Sequence, residues 1–271
     1  MSLLLWAAYA RYRELAGYPG WFLLDAAIPI AIAAIALLLG QAAGGPLGAA
    51  HFAAQAGTRE SAAFLLIGAN VFLLTLRAFW DLGLWLRKEQ QAGTLEALYV
   101  TPARRGWLVA GVAGFNLARG LVNLALSFGL GCLLFGINPL GRGYGLALAF
   151  LAVGAAPLYA LSLLYGSLVL RFKESDALIQ VAQVVLTLLT GVYYPVAVLP
   201  AALRWAALLA PPAWVANGLR AALLDSAYLL GSWPADLAVL AGMALVGPPL
   251  ALAALRRAES SLRRGAGVGQ F

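Results

Sequence analysis

Several residue types on which enzymes and metalloproteins depend are nearly missing from this sequence. Its 271 residues include one cysteine, Cys132, and one histidine, His51. A disulfide framework or a zinc cluster needs several such side chains, so neither is expected. A Ser-His-Asp triad would have to be built around His51, which lies in a Gly- and Ala-rich stretch of the chain. The sequence therefore predicts no metal site and no catalytic residue, and it disfavours a membrane-embedded enzyme.

Charged residues are also scarce. They form 11% of the chain, whereas hydrophobic residues form 63%, and soluble domains use only about 45–50% apolar residues. This composition indicates a membrane protein. The net charge is +7, but the basic residues flank apolar runs rather than forming one stripe with exposed aromatics. We therefore expect them to anchor helix ends to anionic lipid headgroups, and we expect no nucleic-acid partner.

Six apolar runs are long enough to cross the bilayer's hydrocarbon core, which takes about 20 helical residues. They are 22–39, 64–86, 107–135, 144–170, 177–194 and 237–255. An even number of spans puts both termini on one side. Twelve of the 18 basic residues fall on that side and four on the other, with Arg77 and Arg119 inside spans. Because Lys and Arg are retained in the cytoplasm, both termini are predicted to be cytoplasmic.

Three further segments complete the predicted architecture, an all-α integral membrane protein forming a single domain over residues 1–271. Residues 1–20 predict an interfacial helix, since their order of basic and apolar residues is wrong for a secretory signal. Residues 41–60 predict an outer connector. Residues 195–231 are apolar but divided by prolines into pieces too short to span, which predicts re-entrant half-helices before the last span. That segment is either an outer gate or a lid without a gating role.

The third span carries a polar face. Asn116, Arg119, Asn123 and Ser127 are spaced by three, four and four residues, which places them on one side of a helix. A charge at that depth costs about 2.5–3.5 kcal/mol unless it faces protein or water. The face is either a substrate path, to which Asn70 of the second span would add, or a set of contacts between helices. Arg77 and Asp81 are four residues apart and are predicted to form an ion pair.

The sequence offers no energy source of its own for transport. A proton- or sodium-coupled carrier buries acidic residues near the midplane, and only Asp81 approaches that description. A phosphate-binding G-x-x-x-x-G-K-[ST] loop is absent, because neither Lys88 nor Lys173 follows a glycine. ATP-driven transport would therefore need a separate ATPase subunit.

Two motifs resemble those of a known family. Residues 89–102, EQQAGTLEALYVTP, resemble the E-x-x-x-G-T-L-E-x-L-x-x-T-P signature of ABC-2 type transporter permeases, the membrane subunits of type V ABC exporters. A second run resembles the family's G-x-x-[FY]-P…L-P…P…R pattern, with Gly191, Tyr194, Pro195, Leu199, Pro200, Pro211 and Arg220 at its defining positions. The spans between the motifs carry no recognisable substrate fingerprint.

The resemblance implies partners and a site for each motif. It implies two copies of an ABC ATP-binding subunit, which carry ATP and Mg²⁺ so that this chain binds no cofactor, and a second permease subunit in a homodimer or heterodimer. It also implies that loop 87–106 is a cytoplasmic coupling helix that enters a groove of the ATPase. The residues assigned to this contact are Glu89, Gly93, Thr94, Leu95, Glu96, Leu98, Thr101 and Pro102. The residues assigned to the outer gate are Tyr194, Pro195, Pro200, Pro211 and Arg220.

The residues of the coupling loop suit that contact. Gly93 lets the chain turn, Thr94 can cap a short helix, and Pro102 discourages its continuation. Leu95 and Leu98 share a helical face that can enter an apolar groove.

The expected function is export, from the cytoplasm or inner leaflet of a bacterial or archaeal cell membrane, of a hydrophobic drug-like or lipid-linked compound. A polysaccharide or glycolipid cargo is the alternative within the class. The alternatives from other classes are a secondary carrier that transports without an ATPase, and a membrane enzyme or assembly scaffold that does not transport.

Overall fold

The computed structural model describes residues 19–80, 105–138, 143–169 and 175–264, which form helices joined by short turns and loops, with no strand among them. The helices are α1 (Pro19–Ala56), α2 (Ser61–Ala78), α3 (Arg105–Phe135), α4 (Tyr144–Val169), α5 (Ser175–Thr190), α6 (Ala201–Leu209), α7 (Pro211–Leu224) and α8 (Trp233–Arg264). A 3₁₀ turn, Val196–Val198, lies between α5 and α6. The predicted all-helical class is therefore confirmed for this part of the chain. The predicted interfacial helix at residues 1–20 lies almost wholly outside it.

Five of the described helices contain segments long and apolar enough to cross a membrane: Leu23–Ala56, Ser61–Ala78, Gly111–Phe135, Tyr144–Val169 and Trp233–Ala258. The predicted fifth span, 177–194, corresponds to α5. This helix has 16 residues, which at 1.5 Å per residue gives about 24 Å, short of the roughly 30 Å of hydrocarbon. The chain is a multi-pass helical membrane protein, and the count of six spans stays a prediction.

The first helix corrects one expectation, because residues 41–56 of the predicted connector loop 41–60 are helical. The break that the glycines and proline predicted is confined to Gly45, whose φ of 49° and ψ of −144° are not helical. Pro46 follows, at a position where a helix can restart without its N–H. An ideal Cβ on Gly48 would lie 3.6 Å from the Gly40 carbonyl oxygen, whereas eight residues of straight helix rise about 12 Å. The helix is thus sharply bent, and His51 lies exposed beyond the bend.

Helix α2 forms the centre of the bundle. In its apolar window, 78% of the residues are buried, compared with 11% in α8. It packs chiefly against α1, α3 and α7. Its Phe64, Ile67 and Val71 belong to one apolar cluster with Phe150 of α4 and Trp214 of α7. Helix α2 is therefore surrounded by protein, whereas α8 packs chiefly against α4.

The peripheral helices leave large apolar side chains outside. Leu23 on α1, Leu133 on α3 and Leu245 on α8 are 71%, 80% and 78% exposed. Such surfaces are stable only in contact with lipid or another apolar partner. They agree with the membrane location that the composition indicates.

The proline-rich segment folds into short helices. Helix α6 has nine residues and α7 has 14, so α7 is about 21 Å long, too short to span. Pro200 is the N-cap of α6, and Pro211 is in the first turn of α7, where a missing N–H costs no helical hydrogen bond. These lengths match the predicted half-helices, and their re-entrant course in the bilayer stays a prediction.

Candidate functional site

The residues assigned to the ATPase contact lie outside the described part of the chain. They are Glu89, Gly93, Thr94, Leu95, Glu96, Leu98, Thr101 and Pro102. What the structure describes is the pair of helices on either side of this segment, since α2 ends before it at Ala78 and α3 begins after it at Arg105. The coupling helix therefore stays a prediction.

The residues of the second motif are brought together around the end of α5. Gly191 follows the last helical residue and has φ of 62°, the left-handed conformation that ends many helices and favours glycine. Its N–H bonds to the Leu188 carbonyl at 3.3 Å. The Tyr194 hydroxyl donates to the same carbonyl at 2.9 Å.

Arg220 binds the same helix end from α7. Its side chain donates to three backbone carbonyl oxygens: Nη1 to Gly191 at 2.9 Å, Nη2 to Val192 at 3.0 Å and Nε to Phe64 at 3.2 Å. The guanidinium carbon also lies 3.6 Å from the centre of the Phe64 ring. A cation is favoured where the C-terminal carbonyls of a helix leave partial negative charge, and over an aromatic face. Arg220 thus ties α7, α5 and α2 together.

The Arg220 side chain is buried, so its stability depends on these hydrogen bonds. Arg220 is 2% exposed and is the largest fully buried side chain among those described. A guanidinium removed from water is stable only if its donors are satisfied. We call the group of Arg220, Gly191, Val192 and Phe64 the arginine clamp. Its geometry assigns Arg220 a role in holding helices together, whereas its predicted role as a gate residue stays a prediction.

Gly68 of α2 provides the space for the clamp. A Cβ at this position would overlap Nη2 of Arg220 and would lie 2.7 Å from the Val192 carbonyl oxygen. Real Cβ atoms do not approach backbone oxygens that closely, so either the arginine or the backbone would have to move. Gly68 was not among the site residues predicted from the sequence. It is one of 30 glycines, and nothing local distinguishes it.

The other predicted gate residues position the chain between α5 and α7. Pro195 precedes the 3₁₀ turn, while Pro200 and Pro211 begin α6 and α7 as described above. The Arg204 side chain donates to the Ala197 carbonyl at 2.6 Å and to the Leu199 carbonyl at 3.2 Å. The segment is thus held by side-chain donors on backbone carbonyls, which compensates for its lack of regular hydrogen bonds.

The polar face of α3 is buried, as its spacing predicted. Asn116, Asn123 and Ser127 are 6%, 2% and 1% exposed. Within the described residues, Asn116 Nδ2, both amide atoms of Asn123 and Ser127 Oγ have no hydrogen-bond partner. Asn70, which is also buried, donates to the Leu66 carbonyl in its own helix at 2.9 Å. None of these residues lines the cavity of about 660 Å³ that α1 and the start of α2 enclose, so their assignment to a substrate path stays a prediction.

Arg119 differs from its neighbours on that face, because it forms an ion pair with Asp25 of α1 at 2.7 Å. Arg77 of α2 lies 3.3 Å from the other carboxylate oxygen of Asp25 and donates to the Asp25 backbone carbonyl at 2.9 Å. The three side chains, which we call the ionic triad, are 14–20% exposed. This favours the interpretation of Arg119 as a contact between helices. Asp81, the predicted partner of Arg77, lies outside the described residues.

Two acidic residues with clear roles were not selected from the sequence. One is Asp25, which lies inside the first predicted span. An acidic residue at membrane depth could have indicated a buried ion pair. The other is Asp236 in the first turn of α8. Its carboxylate accepts the backbone N–H groups of Leu229 and Leu230 at 2.9 and 2.8 Å, fixing the loop after α7. Among the described residues, no group of three His, Cys, Asp or Glu side chains could hold a metal ion.

Comparison with known families gives one match, and none of the curated proteins compared with the chain matches it. The matching family model, ABC-2 type transporter, covers residues 15–224. This range extends from before α1 to the end of α7, so it contains the ionic triad, the arginine clamp and the segment predicted to contact an ATPase. It accounts for more than half of the chain. The chain therefore belongs to the ABC-2 type transporter family, as the two sequence motifs indicated.

Proposed function

We propose that this ABC permease subunit exports a hydrophobic drug-like or lipid-linked compound from the cytoplasm or inner leaflet of a bacterial or archaeal cell membrane. The family match over residues 15–224 carries the transport assignment and the general partnership with an ABC ATP-binding subunit. The choice of an apolar cargo is supported by the composition of the spans, which offer apolar walls and few polar groups. In this proposal two ATP-binding subunits, which hold ATP and Mg²⁺, act on two permease subunits.

The position of α2 supports a mechanical route for the ATPase's work. Its last residues lead into the segment at 87–106, which in this proposal is the cytoplasmic coupling helix. Near that end Arg77 belongs to the ionic triad, and near the other end the Phe64 carbonyl belongs to the arginine clamp. Thirteen residues separate them, a rise of about 20 Å. A displacement of the coupling helix would thus be passed along α2, a stiff and buried rod, to the outer segment that contains α6 and α7.

The proposal is tested at the coupling segment. In membranes with the partner ATPase, Leu95→Asp puts a charge where an apolar contact is proposed, and Glu96→Arg reverses the charge offered to basic partner residues. Either should abolish the permease-stimulated part of ATP hydrolysis and the release of the ATPase-dependent cargo. Gln91→Arg, at one of the variable positions of the same motif, is the matched control and should retain both.

Copurification and thermal unfolding complete this test. Both variants should unfold at the wild-type temperature, since a surface change costs within about 0.5 kcal/mol. Unchanged ATP hydrolysis in the Leu95→Asp and Glu96→Arg variants would refute the coupling assignment. A tagged wild-type protein that brings down no ATPase, from cells that express its neighbouring genes, would argue for a carrier that works without ATP.

A further inference from the structure

We propose that the bent first helix and α2 enclose a binding site for one acyl chain of a bilayer glycerolipid. The site is a cavity of about 660 Å³ beside the bend at Gly45, which falls within the roughly 300–1,000 Å³ typical of ligand sites. Its walls come from α1 on both sides of the bend, from the start of α2 and from Tyr193. This inference does not depend on the proposed transport function.

The cavity exists because the bent helix lacks side chains where it faces α2. Gly40 and Gly44 line the cavity, and a Cβ on either would meet nothing within 4 Å. Small residues in membrane helices ordinarily let two helices touch, but these two face open space. Each glycine also costs about 1 kcal/mol relative to alanine in a helix. Their position therefore leaves a volume to fill rather than a close helix contact.

The opening of the cavity identifies its occupant. Ile35 and Leu39 line the cavity and are 58% and 64% exposed. They belong to an apolar surface of α1 that also includes Leu38, 63% exposed. In a span this surface lies against hydrocarbon, so the cavity opens to the layer of acyl chains. An acyl chain that enters the cavity from this layer makes dispersion contacts with the apolar side chains that line it.

The polar groups of the cavity fit the ester end of such a lipid. Gln41, Ser61 and Tyr193 line it and carry amide, hydroxyl and phenol donors, each able to bond an ester carbonyl. None of the described residues that line the cavity is charged. A neutral glycerol ester therefore suits it better than a charged ligand.

Photolabelling tests the site. The protein is placed in lipid nanodiscs containing a phosphatidylethanolamine with a diazirine on one acyl chain, then irradiated and mapped by mass spectrometry. Leu65 lines the cavity but is 6% exposed, so a chain reaches it only from inside. We expect labelling at Leu65 in the wild type. Labelling at Leu133, 80% exposed on α3, reports contact with the surrounding bilayer.

A matched pair of variants separates the cavity from the surface. Gly44→Phe fills the cavity and should reduce Leu65 labelling to background while Leu133 labelling is unchanged. Gly129→Phe, at an exposed glycine of α3 with nothing within 4 Å of its Cβ, should leave both unchanged. Each variant must elute as a single species like the wild type. Leu65 labelling that persists at the wild-type level in the Gly44→Phe variant would overturn the proposal.

A second copy of the chain is the other occupant that the experiment distinguishes. If it filled the cavity, Leu65 would stay unlabelled in the wild type. The Ile35→Cys variant would then form disulfide-linked dimers under oxidation. Either an unlabelled Leu65 or such a dimer contradicts the acyl-chain site, whatever the outcome of the ATPase experiments.

Discussion

Arg220 shows how a single side chain can replace secondary structure at a helix end. Carbonyls at the C-terminal end of a helix lack helical hydrogen-bond partners. Here the guanidinium donates to two backbone carbonyls directly after α5 and to a third on α2. Five donors in a fixed planar arrangement allow one residue to do this, which a lysine cannot. The hydrogen bonds to backbone carbonyls thus explain why the second motif carries an arginine at position 220.

Replacement of Arg220 by methionine should therefore destabilise the protein by roughly 3 kcal/mol, because three buried carbonyls lose charged donors. Lysine should restore only part of this loss. The measurement is thermal unfolding of purified protein in detergent. Arg204→Met is the matched control, because Arg204 lies in the same segment and donates to two backbone carbonyls, but the residue is exposed. Equal shifts for the two arginines would contradict the clamp.

The second motif grouped residues that lie close together in the structure, but the sequence did not indicate their distant partners. Gly191, Tyr194 and Arg220 were selected together, and the structure places them around one helix end. Their partner Phe64 and the space at Gly68 could not be predicted, because they lie in a different helix and have no local pattern of their own.

At the scale of elements, the ionic triad joins α1, α2 and α3 at partly buried positions. Asp25 accepts from both Arg119 and Arg77, so the carboxylate is the shared member. The amphipathic spacing on α3 predicted an inward-facing Arg119 correctly. It could not indicate which helix supplied the partner, and two interpretations of the polar face followed from that.

A double-mutant cycle distinguishes these interpretations for Arg119. Asp25→Asn and Arg119→Met should each lower the unfolding free energy by about 1–3 kcal/mol, and the double variant should lose clearly less than their sum. Asp25→Asn combined with Arg204→Met is the control and should be additive. If Arg119→Met instead alters cargo release with wild-type stability, the residue belongs to a substrate path.

The bend in α1 marks what composition can and cannot predict about an element. Gly44, Gly45 and Pro46 correctly indicated a break in the helix. The predicted extent of the break was wrong, because a single residue with positive φ, Gly45, is enough to redirect the chain. The alanine-rich sequence after it continues as helix, since alanine has the highest helix propensity.

At the scale of the whole molecule, the apolar runs located three long spans well. The predicted 107–135 and 144–170 nearly coincide with α3 and α4, and 237–255 lies inside α8. The shorter α5 shows the limit of span counting, since hydrophobicity alone does not distinguish a crossing helix from one of 16 residues that is too short to cross.

The orientation in the membrane is a prediction of the basic residues and can be measured directly. In a Cys132→Ser background, Trp205→Cys places a thiol at a position that is 70% exposed on α6. We expect a membrane-impermeant maleimide to label it in intact cells. Arg257→Cys, exposed near the end of α8, should react only after the cells are permeabilised. The reverse pattern would place the termini outside and would contradict the cytoplasmic coupling helix.

The distance along the chain between Phe64 and Arg220 has a consequence for biogenesis. The hydrogen bond that joins them spans 156 residues, and a ribosome adds about 5–20 residues per second. The central helix therefore waits on the order of ten to thirty seconds after its synthesis for the arginine that completes its packing. During that interval the nascent chain needs the insertion machinery, or neighbouring lipid, to shield α2.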